Sequence, residues 1–210
     1  MSTELRSLLA LPALEVAPLL LGAELSHATA EGTITVRITE VEAYLGEVDP
    51  GSHAFRGRTK RTEVMFGEPG HLYTYFTYGM HVCANVVCSP AGAASAVLIR
   101  AGEVVEGHDL ARHRRHTSKV PADLARGPAR LVVALGISLA DGGADLLGGG
   151  PLRLELPASP EFDHSSGPRT GVSGDGGTDA FPWRFWITGD PTVSPYKKSA
   201  PKKRAAPPAG

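Results

Sequence analysis

The stretch 40–87 constrains this chain most, because it concentrates carboxylates, tyrosines and arginines between segments with strand patterns. It begins inside the run 33–44, in which apolar residues alternate with period two and Glu40, Glu42 and Tyr44 follow on the same parity. A carboxylate that ends an apolar strand face is partly desolvated, which raises its pKa, and functional carboxylates are often held in such places. The pattern alone leaves open that the strand has already emerged into solvent and that both glutamates are exposed.

An aromatic β-hairpin is predicted next. Segment 71–77, HLYTYFT, is rich in aromatic and β-branched residues, and segment 81–88, HVCANVVC, resumes the strand pattern after a turn that contains Tyr78. Alternation places Tyr73 and Tyr75 on one face of the first strand and Tyr78 on the other. One face can pack against the core, so the second is available for a ligand.

A basic segment lies between the predicted strands. Its five basic or potentially basic residues are His53, Arg56, Arg58, Lys60 and Arg61. Cationic groups beside exposed aromatic rings suit a phosphate backbone and unstacked bases. The net charge of −1 argues against a uniformly basic surface, so contacts with DNA would come from local patches, here and at 112–119.

Seven segments together carry a family resemblance. They are VEAYLG (41–46), SHAFRGRT (52–59), MFGEPGHLYTYFTYGMHVCANVV (65–87), LIRA (98–101), GPARL (127–131), GPRTGVSG (167–174) and PWRFWI (182–187). The chain resembles the alkyladenine (3-methyladenine) DNA glycosylases, monofunctional base-excision enzymes, over most of its length to about Tyr196. The resemblance implies an α+β fold, a single domain whose curved, mainly antiparallel sheet carries a protruding β-hairpin and is flanked by helices.

The resemblance also implies roles for charged residues. Glu42 is expected to be the general base, which takes a proton from the attacking water while its charge stabilises an oxocarbenium-like sugar. Arg58, Arg61, Arg100 and Arg169 are expected to contact DNA phosphates or to position the water. For Arg100, which follows the predicted strand 96–99, a structural ion pair with a carboxylate is the competing interpretation.

The base pocket is implied in the same way. Tyr44 and Tyr75 are expected to sandwich a flipped purine, and Tyr78 to wedge into the minor groove where the nucleotide has left the stack. His53 is expected to read the base edge, and Asn85 to exclude purines that carry a bulky or donating exocyclic group. Without the resemblance, His53 could be an ordinary loop histidine and Asn85 could satisfy backbone groups of its strand.

Other functions stay open on the sequence. A noncatalytic DNA-binding module could use the same hairpin and basic patch. A metal-dependent hydrolase has little support, because the histidines lack HExxH or ligand spacing, and we expect neither a metal nor another cofactor. Lys60 and Thr62 stand where the family usually has proline and asparagine, which bears on the loop shape and its phosphate contact. Lys60 is taken as a surface residue rather than the amine of a bifunctional lyase.

The 210 residues are expected to form one glycosylase domain, 1–196, followed by a disordered basic tail, 197–210. Helices are predicted at 4–26, broken at Pro12, and at 102–116 and 128–137, and strands at 152–156 and 183–188 around a long loop, 157–181. Cys83 and Cys88 are expected to be free thiols. We expect a monomer without a membrane span, located in the cytoplasm and at the nucleoid if the source is bacterial, whose partner is double-stranded DNA containing a damaged purine.

Overall fold

A computed structural model describes residues 2–77, 79–157 and 162–199 of the protein. These residues form four α-helices and eight β-strands. The helices are α1 (Ser2–Leu9), α2 (Ala13–Leu19), α3 (His108–Arg114) and α4 (Pro128–Leu135). The strands are β1 (Glu24–Thr29), β2 (Gly32–Tyr44), β3 (Leu72–Thr77), β4 (His81–Val87), β5 (Ala96–Glu106), β6 (Leu152–Glu155), β7 (His164–Gly167) and β8 (Arg184–Ile187).

The long strand β2 is the centre of one antiparallel sheet with the order β3-β4-β5-β2-β1-β6. Along one edge β2 pairs with β5, and along the other it pairs first with β1 and then, near its end, with β8, which also pairs with β7. Strands β3 and β4 form the predicted hairpin and join the sheet through β5. The predicted α+β fold with an antiparallel sheet that includes this hairpin is therefore confirmed.

One face of the sheet, here called the core face, packs against the helices. Helices α2, α3 and α4 contact β2 and β5, and α4 also contacts β4. In α4, Leu131 and Leu135 are fully buried. The helix begins at Pro128, where the missing N–H is no loss, and ends at Gly136, whose φ of 71° allows the left-handed turn. The prediction of a buried helix here is confirmed.

A β-bulge in β2 changes which residues face the helices. The register against β5 shifts on both sides of Glu40. Before the shift the buried core residues are Ile34, Val36 and Ile38, and after it they are Val41 and Ala43. The prediction that Glu40, Glu42 and Tyr44 share a face with the three apolar residues was wrong, because the extra residue of a bulge reverses the alternation.

The opposite face of the sheet, here called the site face, carries the residues that alternate with the core. One row of paired residues runs across four strands, with Tyr73 beside Asn85, Asn85 beside Leu98, and Leu98 beside Glu42. Neighbouring strands lie about 4.8 Å apart, so the row spans roughly 14 Å. The loop between β2 and β3 covers part of this face through a second apolar cluster that includes Ala54.

Several predicted boundaries differ from the structure. Helical structure was predicted as far as residue 26, but α2 ends at Leu19 and strand β1 begins at Glu24. Strand β5 continues to Glu106, so Arg100 lies within the strand rather than at its end, and the helix predicted at 102–116 is reduced to α3. Gly107 separates β5 from α3. Its φ of 76° is in the left-handed region, and a Cβ added there would lie 2.3 Å from the Thr33 carbonyl oxygen, so only glycine fits. The loop predicted at 157–181 contains strand β7.

Cys83 and Cys88 are free thiols, as predicted, and both are buried. Within the described ranges, every helix is too short or too polar to cross a bilayer. Residues 200–210, most of the predicted tail, lie outside the described residues.

Candidate active site

A cavity of about 460 Å³ opens on the site face, within the roughly 300–1,000 Å³ typical of small-molecule sites. Its walls come from β2 to β5, from loop segments at 50–53 and 170–173, and from the beginning of α4 at 126–130. Six predicted site residues line it together: Glu42, Tyr44, His53, Tyr75, Asn85 and Arg100.

Glu42 lies at the wall of this cavity with its side chain buried. Its Oε1 accepts a hydrogen bond of 2.6 Å from the backbone N–H of Thr170, and its Oε2 accepts one of 2.8 Å from the Tyr44 hydroxyl. Arg100 Nη1 lies 3.3 Å from Oε1. The possibility that β2 has emerged into solvent at this point is therefore wrong.

Arg100 belongs to a buried cluster of charges behind Glu42. Its Nε donates to Glu40 Oε1 at 2.8 Å, and Arg184 Nε donates to the same oxygen at 2.7 Å. Burial favours protonation of Glu40, but the charges of the two arginines and a hydrogen bond from Ser194 outweigh it and hold the pKa of Glu40 below its usual value. The expectation of a raised pKa is wrong for Glu40.

Tyr44 is fixed from behind by a second buried ion pair. The Arg169 guanidinium lies 4.5 Å from the Tyr44 ring centroid and donates to both oxygens of Asp49, at 2.6 and 2.7 Å. The remaining N–H groups of Arg169 reach the carbonyls of Ala43 and Gly176. Because all five donors are used and the side chain is buried, Arg169 is placed to orient Tyr44 rather than to contact a phosphate.

The hydroxyl of Tyr44 stays a hydrogen-bond donor to Glu42. Burial, and then the negative charge of Glu42, raise the pKa of Tyr44 well above its usual value. The phenol therefore stays protonated across the neutral range, and the contact between the two side chains persists.

Aromatic rings form the opposite part of the cavity. The ring of His53 meets Tyr75 edge to face at 4.4 Å between centroids, and its Nδ1 lies 3.3 Å from the Tyr73 hydroxyl. Although His53 is exposed at the cavity mouth, desolvation by these rings and the nearby charge of Arg61 lower its pKa to about 4. The imidazole is neutral at neutral pH and can both donate and accept hydrogen bonds.

Asn85 lies on the cavity floor and also binds the backbone. Its Nδ2 donates to the carbonyl of Tyr73, its cross-strand partner, at 3.0 Å. Asn85 thus satisfies a backbone group of its hairpin, one of the two roles open to it from the sequence, and it also lines the cavity.

The remaining predicted site residues lie at the rim of the cavity or outside the residues that the structure describes. The Arg58 guanidinium lies over Phe66 at 4.9 Å and that of Arg61 over Tyr75 at 5.6 Å, and both arginines are exposed. Tyr78, the predicted wedge, lies outside the described residues.

The ion-pair partners of the buried site residues were not predicted from the sequence. Asp49 and Arg184 were not singled out, and Glu40 was given no function, although a charge within an apolar strand requires a partner. The partners are 120 and 144 residues apart along the chain, so only the fold reveals which charges meet.

Comparison with known proteins gives a consistent result. Residues 7–191 match the family described as Methylpurine-DNA glycosylase (MPG). A relative from Leifsonia xyli subsp. xyli is 66% identical over 190 residues, 88% of each chain. One from Streptomyces avermitilis is 56% identical over 203 residues, 95% of this chain and 94% of the relative, and one from Cutibacterium acnes is 51% identical over 193 residues, 89% and 96%. All three are provisionally named 3-methyladenine DNA glycosylases.

Proposed function

Because the chain belongs to the methylpurine-DNA glycosylase family, we propose that it flips alkylated or deaminated purines out of duplex DNA and hydrolyses their N-glycosidic bond. The observation that carries this proposal is a buried carboxylate, Glu42, at the wall of a ring-lined cavity. The product is an abasic site.

Glu42 is the general base of this proposal. A carboxylate offers about four acceptor positions, and Thr170, Arg100 and Tyr44 occupy two on Oε1 and one on Oε2. One position on Oε2 is left for a water molecule, whose proton Glu42 takes as the water attacks the anomeric carbon. The negative charge also stabilises the cationic sugar, and it acts strongly because water is largely excluded.

Tyr44 and Tyr75 hold the extruded base. One face of the Tyr44 ring is covered by Arg169, so the base contacts the other face. Alkylation at N3 or N7 makes a purine cationic, and a cation over an aromatic ring gains about 0.5–2 kcal/mol. His53, being neutral, adds no repulsion against such a base and reads its edge. Asn85, on the cavity floor, excludes purines with a bulky or donating exocyclic group.

The rim supplies the DNA contacts. Arg61, over the cavity residue Tyr75, and Arg58, over Phe66, are both exposed and pair with backbone phosphates. Tyr78, at the hairpin turn, fills the gap left by the extruded nucleotide and offsets part of the unstacking free energy of a few kcal/mol. Lys60 is exposed and is absent from the cavity lining formed by the described residues, which favours a monofunctional enzyme over one that forms a Schiff base.

Replacing the proposed base tests the function. We expect Glu42→Gln to lower single-turnover excision by about 10²–10⁴-fold, because the amide cannot take the proton of the water. Excision is measured by alkali cleavage of duplexes that each carry 3-methyladenine, hypoxanthine, ethenoadenine or 7-methylguanine. Binding to a duplex with an uncleavable abasic analogue should change little.

A matched control is Glu155→Gln, an exposed glutamate on the edge strand β6, which should excise at the wild-type rate. Wild-type release of hypoxanthine by the Glu42 variant would remove the proposed base. Binding without release of any of the four bases by the unaltered protein would favour a noncatalytic DNA-binding module.

A further inference from the structure

Four charged side chains are buried together at the cavity wall and behind it: Glu42 on β2 and Arg100 on β5, which line the cavity, and Glu40 on β2 and Arg184 on β8. Their formal charges cancel. Such a cluster is a poor device for stability alone, because well-packed apolar residues of similar volume often stabilise a protein as well or better. Of the four, Glu40 and Arg184 have no place in the proposed reaction, although both are buried and Glu40 is 0% exposed.

The contacts of Arg100 are unequal. Its Nε donates to Glu40 at 2.8 Å and its Nη2 to the Ser194 hydroxyl at 3.4 Å, which fixes the plane of the guanidinium. Only Nη1 reaches Glu42, at 3.3 Å. An arginine beside a carboxylate usually forms two parallel bonds of about 2.7–2.9 Å. Because Glu40 takes Nε and Ser194 takes an N–H of Nη2, the Nε–Nη2 edge of Arg100 is engaged away from Glu42, which is left with the single contact from Nη1.

Glu40 itself is held firmly. Arg184 Nε donates to its Oε1 at 2.7 Å, and the backbone N–H of Ser194 donates to its Oε2 at 2.7 Å. The side chain of Glu40 is 0% exposed, so these contacts are shielded from solvent. A glutamine in its place would set its amide N–H₂ against the Ser194 N–H or against the arginines.

We propose that Glu40 is a positioning residue, whose charge holds Arg100 away from a close pair with Glu42 and so keeps Glu42 an effective proton acceptor. This inference rests on the proposed function of Glu42. Removal of the Glu40 charge leaves two buried arginines facing one carboxylate, and Arg100 then closes on Glu42.

Three other titratable side chains face Glu42. Tyr44, Tyr75 and Cys83 face it from β2, β3 and β4, and burial raises the pKa of each, so all three are neutral near neutral pH. Arg100 is the one cation within salt-bridge distance of Glu42 among the residues that the structure describes. A change in the position of Arg100 should therefore be felt directly in proton transfer.

The first test is Glu40→Gln. We expect single-turnover excision to fall by about 10- to 100-fold, and the acid limb of its pH profile to move to lower pH, because Arg100 neutralises Glu42 more fully. Affinity for a duplex with a neutral tetrahydrofuran site should be unchanged. Excision and a pH profile equal to those of the unaltered protein would overturn the inference.

A charge-balanced double variant separates positioning from folding. Glu40→Gln with Arg184→Met removes one buried charge of each sign, and we expect its melting temperature to recover toward the wild-type value. Excision should stay low, since no carboxylate holds Nε of Arg100 away from Glu42. Recovery of both would show that Glu40 only balances charge, which would overturn the inference. If the glutamine variants fail to fold, Glu40→Asp provides the test. This variant keeps the negative charge, so the acid limb of its pH profile for excision should stay at the wild-type pH. A shift of that limb to lower pH would overturn the inference.

A binding measurement distinguishes failure of this inference from failure of the proposed function. If the unaltered protein releases none of the four bases, the proposed function fails, and affinities for cationic pyrrolidine and neutral tetrahydrofuran duplexes are compared instead. Glu40→Gln should reduce the preference for the cation about tenfold, because the cluster gains a positive charge. An equal preference in the two proteins would overturn the inference.

Discussion

Arg169 shows how a single buried side chain organises residues of the site. It joins Asp49 to Tyr44 and reaches the carbonyls of Ala43 and Gly176, so its guanidinium ties the loop after β2 to the segment before β8. Asp49 also accepts hydrogen bonds from the backbone of that loop, including one of 2.8 Å from Gly51. Removing either charge would leave the other buried and unpaired.

At this scale we predict that Asp49→Asn lowers the free energy of unfolding by about 3–5 kcal/mol, because the Arg169 charge loses its buried partner. Urea unfolding monitored by circular dichroism measures the change. The matched control is Asp109→Asn, which removes an exposed Asp–Arg pair and should cost less than about 1 kcal/mol. Equal losses in the two variants would contradict the importance of the buried pair.

Single residues were predicted from the sequence better than their partners. Glu42, Tyr44 and Tyr75 lie in predicted strands, but the family motifs chose them, because local alternation placed Glu42 and Tyr44 on the wrong face of β2. Glu40 and Arg184 could not be matched, because a pair separated by 144 residues leaves no local pattern. Such pairs depend on which strands become neighbours, and that is decided by long-range pairing.

At the scale of elements, the bulge in β2 is the feature on which the site depends. It sends Val41 and Ala43 to the core face and Glu42 and Tyr44 to the cavity, while the strand continues without a break. The strand itself was predictable from period two, but the bulge was not, because no glycine or proline marks it. The register shift is decided by pairing with β5, where Gly102 lies opposite Ile38.

The hairpin of β3 and β4 gives a prediction for its turn. Gly79 has a φ of +68°, and an added Cβ there has no contact within 4 Å among the described residues, so Gly79→Ala acts only through backbone strain of about 1–2 kcal/mol. Because Tyr78 is the proposed wedge, we expect the variant to bind lesion-containing duplexes several-fold more weakly. Fluorescence anisotropy measures the affinity.

Gly92→Ala is the matched control for this turn. Gly92 has a φ of +97°, also with open space around the added Cβ among those residues, but it lies in the loop between β4 and β5. It should cost similar stability and leave DNA affinity unchanged. Equal affinities of the two variants would contradict a role for the turn in binding.

At the scale of the whole molecule, the N-terminal helix α1 is fastened to the loop that supports the hairpin. Arg6 Nη2 donates to both oxygens of Asp145 at 2.8 Å, and Arg6 Nη1 donates to the Pro69 carbonyl at 2.7 Å. The loop around Asp145 bonds to the hairpin base through Leu72 and Gly70. Three segments that are far apart along the chain, around residues 6, 70 and 145, thus meet at the base of the hairpin.

The coupling between Arg6 and Asp145 gives a pH-dependent prediction. A double-mutant cycle with Arg6→Gln and Asp145→Asn should give a coupling free energy of about 0.5–1 kcal/mol at about pH 7. The value is small because both side chains are partly exposed. Burial opposes ionisation of Asp145, but the hydrogen bonds from Leu147 and Arg6 outweigh it and hold its pKa below the usual 3.8. Near pH 3.8 the carboxyl of Asp145 therefore binds more protons in the unfolded chain than in the folded one. The stabilisation from the ion pair is complete above pH 3.8 and declines as the pH falls through the lower pKa of Asp145 in the folded protein. Urea unfolding of the four proteins at about pH 7 and about pH 3 measures the cycle, and a coupling that grows toward acid would contradict this contact as its source.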